Sequence, residues 1–574
     1  MSDTTPPPDK DGSVDPTLAG RAPKAKSKTG PIIAVVVAVV VVAAAAFGIY
    51  KAVGGKKDDA NITSGLSASA TSDTATTTDT VTTTETTAAA DEATDAETVE
   101  AAGPVSGTDD AATVVIGLSL EPTNLDVRNA ADAALTQAFL DNVYEGLVSR
   151  GADGNPVPKL ASEWTISDDA LTYTFTIPDG RAFSNGDALT ADDVAWSLND
   201  VIDNGYVGAD TLAKVASVEA ADANTLVITL SEPYPDLLWA LGGRGGLVLD
   251  QDATNDLSSS AIGSGPFLFQ EWKQGDSITL VRNDNYWGTP AGVQSVVLRY
   301  ITDSNAQLNA FNAGDVDVLA PISNDLVSQI AVDGAETFVA EASDKFVLAF
   351  NNAAEPLNQL EVRQAIRYAI DHPAVVTARG GVDRELGGPI APTDPGYEDL
   401  TSLYPHDVDK AKELLAAAGY ADGLELTLTI PSFYGNVLPD VLTSQLAEAG
   451  ITLTVESVEF AAWLEDVYTN HDYQLSIVDH AEARDFGNWA NPDYYFGYDN
   501  AEVQSLYAQA IVAASAEEEA ELLAQAARIV SEEAAADWLV NFRQSIAVWP
   551  GISGFPQSQI NSYLPLAGLA VAAQ

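Results

Sequence analysis

The chain has no cysteine among its 574 residues. That excludes disulfides, thiolate-bound zinc and cysteine nucleophiles together. Histidine is scarce as well. His372, His406, His471 and His480 have no spacing that turns two of them toward one ion from a single element, so no metal site is expected. Basic residues are few: 27 Lys and Arg stand against 83 Asp and Glu, for a formal net charge of −56. Such a field repels nucleic acid and anionic lipid, and neither is expected as a partner. The short signatures of catalysis are missing too, with no HExxH, GxxxxGK[ST], GxSxG or GxGxxG. No catalytic residue and no cofactor is assigned. With acids this abundant, chance carboxylate pairs carry no information, and composition alone leaves a paired-carboxylate hydrolase open.

What is present divides the chain. Its length exceeds one compact core, and its 46% hydrophobic content is that of a globular protein. Residues 1–30 are polar and proline-rich, with basic Arg21, Lys24, Lys26 and Lys28, and read as a disordered cytoplasmic tail. Residues 31–50, PIIAVVVAVVVVAAAAFGIY, are uncharged. At ~1.5 Å per residue they are long enough to cross a hydrocarbon core of ~30 Å. Lys51, Lys56 and Lys57 follow the run and nearly balance the basic residues before it, so charge favours an inside N-terminus only slightly. The small residues Ala43–Ala46 also suit a cleaved signal peptide. The run is long for one, and an uncleaved anchor is the expectation. Residues 51–110 are a low-complexity linker rich in Thr, Ala and acids.

The folded part is organised around Asp153–Asn199. Leu171–Ile177 alternates apolar and hydroxyl residues with period two, as a half-buried strand does. Turn chemistry follows at Pro178-Asp179-Gly180 and Asn185-Gly186-Asp187. Thr190 and Asp193 form a capping-box variant opening a helix, with Val194, Trp196 and Leu198 as its expected apolar stripe. Asp407–Tyr420 reads as a helix capped by Gly419, and Leu424–Ile430, Val437–Ala449 and Ile451–Val458 as a strand, a helix and a strand.

Two strings in that central stretch, PKLASEWTIS and LTYTFTIPDGRAFSNGDALTADDVAWSL, resemble the signature of the family 5 extracellular solute-binding proteins, the peptide- and nickel-binding subunits of bacterial ABC importers. GSGPF at 263–267, LVRNDNYWG at 280–288, AFNAGDVDV at 310–318 and PLNQLEVRQAIRYAID at 356–371 resemble later segments of the same family. The resemblance implies an α/β, two-lobed, periplasmic-binding-protein-like type II fold with an extra small domain in the first lobe. It implies a first lobe of about 111–345 and 541–574, with an inserted subdomain at about 151–245, and a second lobe of about 346–540. The expected function is capture of di- or oligopeptides outside the cell and delivery to a permease with its ATPase subunits. The same fold also serves nickel complexes, oligosaccharides, opines and solute-sensing receptors. The absence of cysteine removes the lipidated residue that tethers many members, which leaves 31–50 as the expected single-pass membrane anchor, with the binding domain outside.

The resemblance also directs attention to residues 477–496, IVDHAEARDFGNWANPDYYF. In peptide-binding members the matching strand end carries an Asp-Tyr pair whose aspartate takes the peptide α-amine, and Asp485-Phe486 is the counterpart here. An enclosed ammonium needs such a carboxylate to recover its desolvation cost. Arg484 is a candidate for a ligand carboxylate, with an internal ion pair to Asp485 or Glu482 as the competing reading. Glu482 is a further acidic candidate. Trp489, Tyr494, Tyr495 and Phe496 are candidates for a pocket wall, with lobe core as the alternative. Phe139–Val148 resembles the helix of the family that ends at Gly146, and Asn142 and Glu145 on it are candidates to lie near the cleft, with helix capping and solvent exposure as the favoured reading.

Overall fold

The computed structural model describes residues 108–130, 132–151, 154–558 and 563–573. The proposed tail, the apolar run and nearly all of the linker lie outside the described residues. Among the described residues, no helix is long and apolar enough to cross a membrane.

Three sheets carry the fold. The first has seven strands, in the order Glu336–Ala340, Gln544–Val548, Val318–Ile322, Thr113–Leu118, Ser295–Tyr300, Ser277–Arg282 and Phe267–Lys273. Thr113–Leu118 lies in its middle, parallel to both neighbours. The second has five strands, in the order Ile451–Val458, Leu424–Pro431, Leu475–His480, Lys345–Phe350 and Ala536–Asn541. Lys345–Phe350 is buried along its whole length, as expected of a strand covered on both faces. The fold is thus the mixed α/β, two-lobed type, with a smaller third sheet as the extra domain.

That smaller sheet has the order Glu163–Ile166, Thr172–Thr176, Thr225–Leu230 and Val215–Asp222. It packs with the helix Ala191–Asn204 around Tyr173, Phe175, Val194, Leu198, Leu226 and Ile228. Asp193 Oδ2 accepts from both the N–H and the hydroxyl of Thr190, which closes the helix start. The expected stripe needs one correction. Trp196 is 38% exposed, because two residues on from Val194 a helix has turned about 200°. The buried face is Ala191, Val194, Leu198 and Val201.

The chain passes from the seven-stranded to the five-stranded sheet between Ala340 and Lys345, and returns between Asn541 and Gln544. The fully buried Asn541 ties the two passages together. Its amide donates to the carbonyls of Ala342 at 2.8 Å and Asp344 at 2.9 Å. Phe542 N–H donates to the same Asp344 carbonyl.

The early helix differs from expectation. It runs only Ala133–Phe139, and Asp141 beyond it has φ +60°. Asn142 and Glu145 are therefore off the helix, and both are fully buried. Asn142 donates to Leu564 O and accepts from Leu566 N–H. Glu145 accepts from Tyr286, Trp287 and Ser264 and pairs with Lys159 at 3.2 Å. Burial raises the Glu145 carboxyl, and these partners only partly offset that.

Candidate interlobe cleft

Between the small sheet's domain and the second lobe lies a cleft lined by Asp236, Asp394, Arg484, Asp485, Tyr507 and Glu519, among others. It spans about 400 Å³ of space, part of it open to solvent. The lobes are closed on each other, and a peptide would need them to part.

Each side chain reaches the cleft by its own route. Asp236 precedes the helix Leu237–Leu241, whose Leu237, Ala240 and Leu241 are buried in the small domain. Arg484 and Asp485 lie in the loop after the strand Leu475–His480. Arg484 has φ +57°, a costly conformation for a residue with a Cβ. Asp394 Oδ2 accepts the Arg484 N–H at 2.8 Å and holds that turn. Glu519 lies in the first turns of the helix Ala516–Glu532, which is capped by Ser515.

The charges are mostly paired. The Arg484 guanidinium forms an ion pair with Asp236 across the cleft and lies 5.2 Å from the Trp239 ring centroid. A second bridge joins the same two bodies, from Lys214 Nζ to Ile511 O at 2.8 Å. Lys345, at the start of its strand, sits 3.0 Å from Asp485 and also donates to the carbonyls of Ser343 and Glu482. Burial alone would lower the Lys345 ammonium. Asp485 and then Asp394 outweigh it, and the group is raised. Burial holds the His480 imidazole down at about 4, so it is neutral near pH 7; its Nε2 lies 3.0 Å from the Tyr495 hydroxyl. Burial raises Asp394 to about 6, and burial with the nearby Asp485 raises Glu482 to about 8.

Of the residues singled out from the sequence, the structure brings Arg484 and Asp485 to the cleft wall. Glu482 is not among the lining residues. Trp489, Tyr495 and Phe496 are buried behind the strand end: Trp489 stacks on Phe496 at 4.0 Å, and Tyr495 stacks on His480. Tyr494 packs against Tyr495 and Phe496. None of the four lines the cleft. The Arg484 partner is Asp236 of the other body, and neither Asp485 nor Glu482.

Sequence reasoning missed Asp236, Asp394 and Glu519. Glu519 alone left a signal. It lies four residues before Leu523 and eight before Ala527, on the face that also buries Val530, so it is an acid in an apolar stripe. Glu517 and Glu518 beside it are exposed. Asp236 and Asp394 are loop acids brought in by tertiary structure, and nothing local marks them among 83 acids.

The chain is 27% identical over 481 residues to the probable D,D-dipeptide-binding periplasmic protein DdpA of Escherichia coli K12, covering 77% of this chain and 91% of that protein. Heme-binding protein A of Haemophilus influenzae is also 27% identical, over 69% of this chain and 81% of that protein. In fold it matches the ABC transporter substrate-binding protein CtaP of Listeria monocytogenes, with a TM-score of 0.73 at 22% identity, over 81% of this chain and all of that one. Residues 155–504 match the model of the bacterial extracellular solute-binding proteins, family 5, middle part. On these matches, the chain belongs to the bacterial extracellular solute-binding proteins of family 5.

Proposed function

We propose that this protein is the receptor subunit of an ABC importer, enclosing peptides between its two lobes and handing them to a permease and its ATPase. As a family 5 member it is a transport binding protein and not an enzyme. The observation that carries the reading is the cleft, where groups of both charge signs from two bodies converge on one space. A peptide offers an ammonium, a carboxylate and a hydrogen-bonding backbone to such a wall. The D,D-dipeptide named for the Escherichia coli relative favours the same class. Arg484 is the group for a ligand carboxylate, and Asp485, backed by Lys345, sets the negative potential behind it. Trp489, Tyr494, Tyr495, Phe496 and Glu482 support the strand end from which that loop departs.

The lobes are assigned as 111–345 with 541–574, and 346–540, with the inserted subdomain at about 151–245. Residues 31–50 tether the protein to the cell membrane and 51–110 hold the binding domain away from it. That placement rests on the length and apolarity of the run and on the missing lipidation cysteine.

Mass spectrometry of solutes that co-purify with natively extracted protein tests the ligand class. Peptides in the cleft are expected, and a uniform non-peptide solute would overturn the reading. The tether is tested by carbonate washing, which should leave the protein with membranes. An N-terminus beginning near Ala46 would instead mean a cleaved leader.

A further inference from the structure

Three of the four carboxylates in the cleft wall already have partners. Asp236 holds Arg484, Asp485 holds Lys345, and Asp394 accepts the Arg484 N–H. The fourth is Glu519. It is 2% exposed, and its Oε2 is buried without a hydrogen-bond partner. The two cations whose charge reaches it, Arg484 and Lys214, are engaged elsewhere: Arg484 on Asp236, and Lys214 on Ile511 O and on Glu232 at 3.3 Å. No ion pair within 4 Å involves Glu519 among the described residues.

A buried carboxylate oxygen left without a donor is costly, and groups kept in that condition call for a ligand or a function. The helix gains nothing from Glu519 that the exposed Glu517 and Glu518 do not already supply at its N-terminus. The two carboxylate oxygens of the half-buried Asp479 are also buried and unpartnered, but that residue does not line the cleft.

Resting on the reading of the cleft as a solute site, we propose that Glu519 receives the ammonium of the solute. The cationic end of the ligand is then fixed by the helix Ala516–Glu532 and not by the strand-end loop, where Asp485 is committed to Lys345. The arriving ammonium supplies the donor that Oε2 lacks. Burial now holds the carboxyl at about 7, and a cation beside it favours the ionised form. The preferred solute class is a peptide or amino compound with a free amine. When the lobes part and Arg484 is released from Asp236, the amine and the carboxylate of a short zwitterion have separate partners.

The test is competitive capture from a pool of random di- to hexapeptides, half of it N-acetylated, read by mass spectrometry. The full chain is compared with Glu519→Gln and Glu519→Met, two variants of similar size that lack the charge. Wild type is expected to retain free-amine peptides and exclude acetylated ones. Both variants, with unchanged circular dichroism, should bind the free-amine peptides about 100-fold more weakly or worse, as expected when one partner of a buried pair is removed. Should the variants keep the wild-type preference for free amines, the assignment to Glu519 is overturned while the peptide reading stands. Should wild type capture free and acetylated peptides alike, the cleft has no amine site and the proposal falls. If wild type captures no peptide, the peptide reading falls with it.

Discussion

The Lys345 ammonium lies 3.0 Å from the Asp485 carboxylate, with the lysine side chain 1% exposed and the aspartate 8%. One residue opens the strand Lys345–Phe350, which pairs with both Leu475–His480 and Ala536–Asn541, and the other lies in the loop that meets the cleft. The pair therefore links sheet to binding surface. Asp485→Asn strands a buried ammonium, and loss of one partner in such a pair costs roughly 3–5 kcal/mol. Denaturant unfolding should show that loss, and Lys345→Met combined with Asp485→Asn should recover much of it. A single variant as stable as wild type would mean that water replaces the carboxylate at Lys345.

Asp236 and Arg484 are the second pair to test. They hold the small domain against the second lobe through a partly exposed ion pair, for which about 1 kcal/mol is a reasonable upper value. Asp236→Ala should then shift the closed-to-open ratio roughly fivefold toward open. Small-angle scattering of ligand-free protein should show a larger radius of gyration for the variant. An unchanged radius would leave Lys214 and the apolar contacts as the groups that hold the lobes together.

Glu519 makes stability depend on pH. Burial raises its carboxyl from an ordinary 4.5 to about 7. The folded protein keeps that proton where the unfolded chain has lost it. The resulting contribution is fully present below pH 4.5 and is lost as pH rises through about 7. Glu519→Gln removes the slope. Between pH 5 and pH 8 the wild-type Tm should fall relative to the variant's, and parallel curves would show that the carboxyl titrates normally.

A smaller effect checks the start of the helix Ala191–Asn204. Asp193→Ala leaves the Thr190 N–H and hydroxyl without their acceptor. A loss of about 1 kcal/mol is expected for such a cap. It should appear in hydrogen exchange of the small domain before it appears in global unfolding.

Local patterns carried much of the fold. The period-two alternation at Thr172–Thr176 became a strand with Tyr173 and Phe175 buried, and the helix stopped near Gly419 has that residue at φ +95°. The strand Ile451–Val458 lies where its pattern put it. Trp196 misled because apolar character was read without the helical angle. Asn142 and Glu145 misled because the helix taken from the family resemblance was carried past the turn at Asp141. The cleft was less legible. Arg484 and Asp485 came from family resemblance, but their partners Asp236 and Lys345 lie 248 and 140 residues away in sequence. No local pattern encodes such a pairing. The aromatic run at Trp489–Phe496 has the composition of a pocket wall, and only packing shows that its faces are spent on one another.

The double passage between the sheets also bears on how such a chain can be cut and rejoined. Lys345 and Asn541, nearly 200 residues apart in sequence, are register partners on neighbouring strands. The second lobe thus leaves and re-enters its host through a single doorway one strand spacing wide, about 5 Å. Seen as a genetic unit, it is a cassette spliced into the first lobe. A short turn joining 541 back to 345 would close it into a ring, and a reporter domain whose own termini are equally close could take its place.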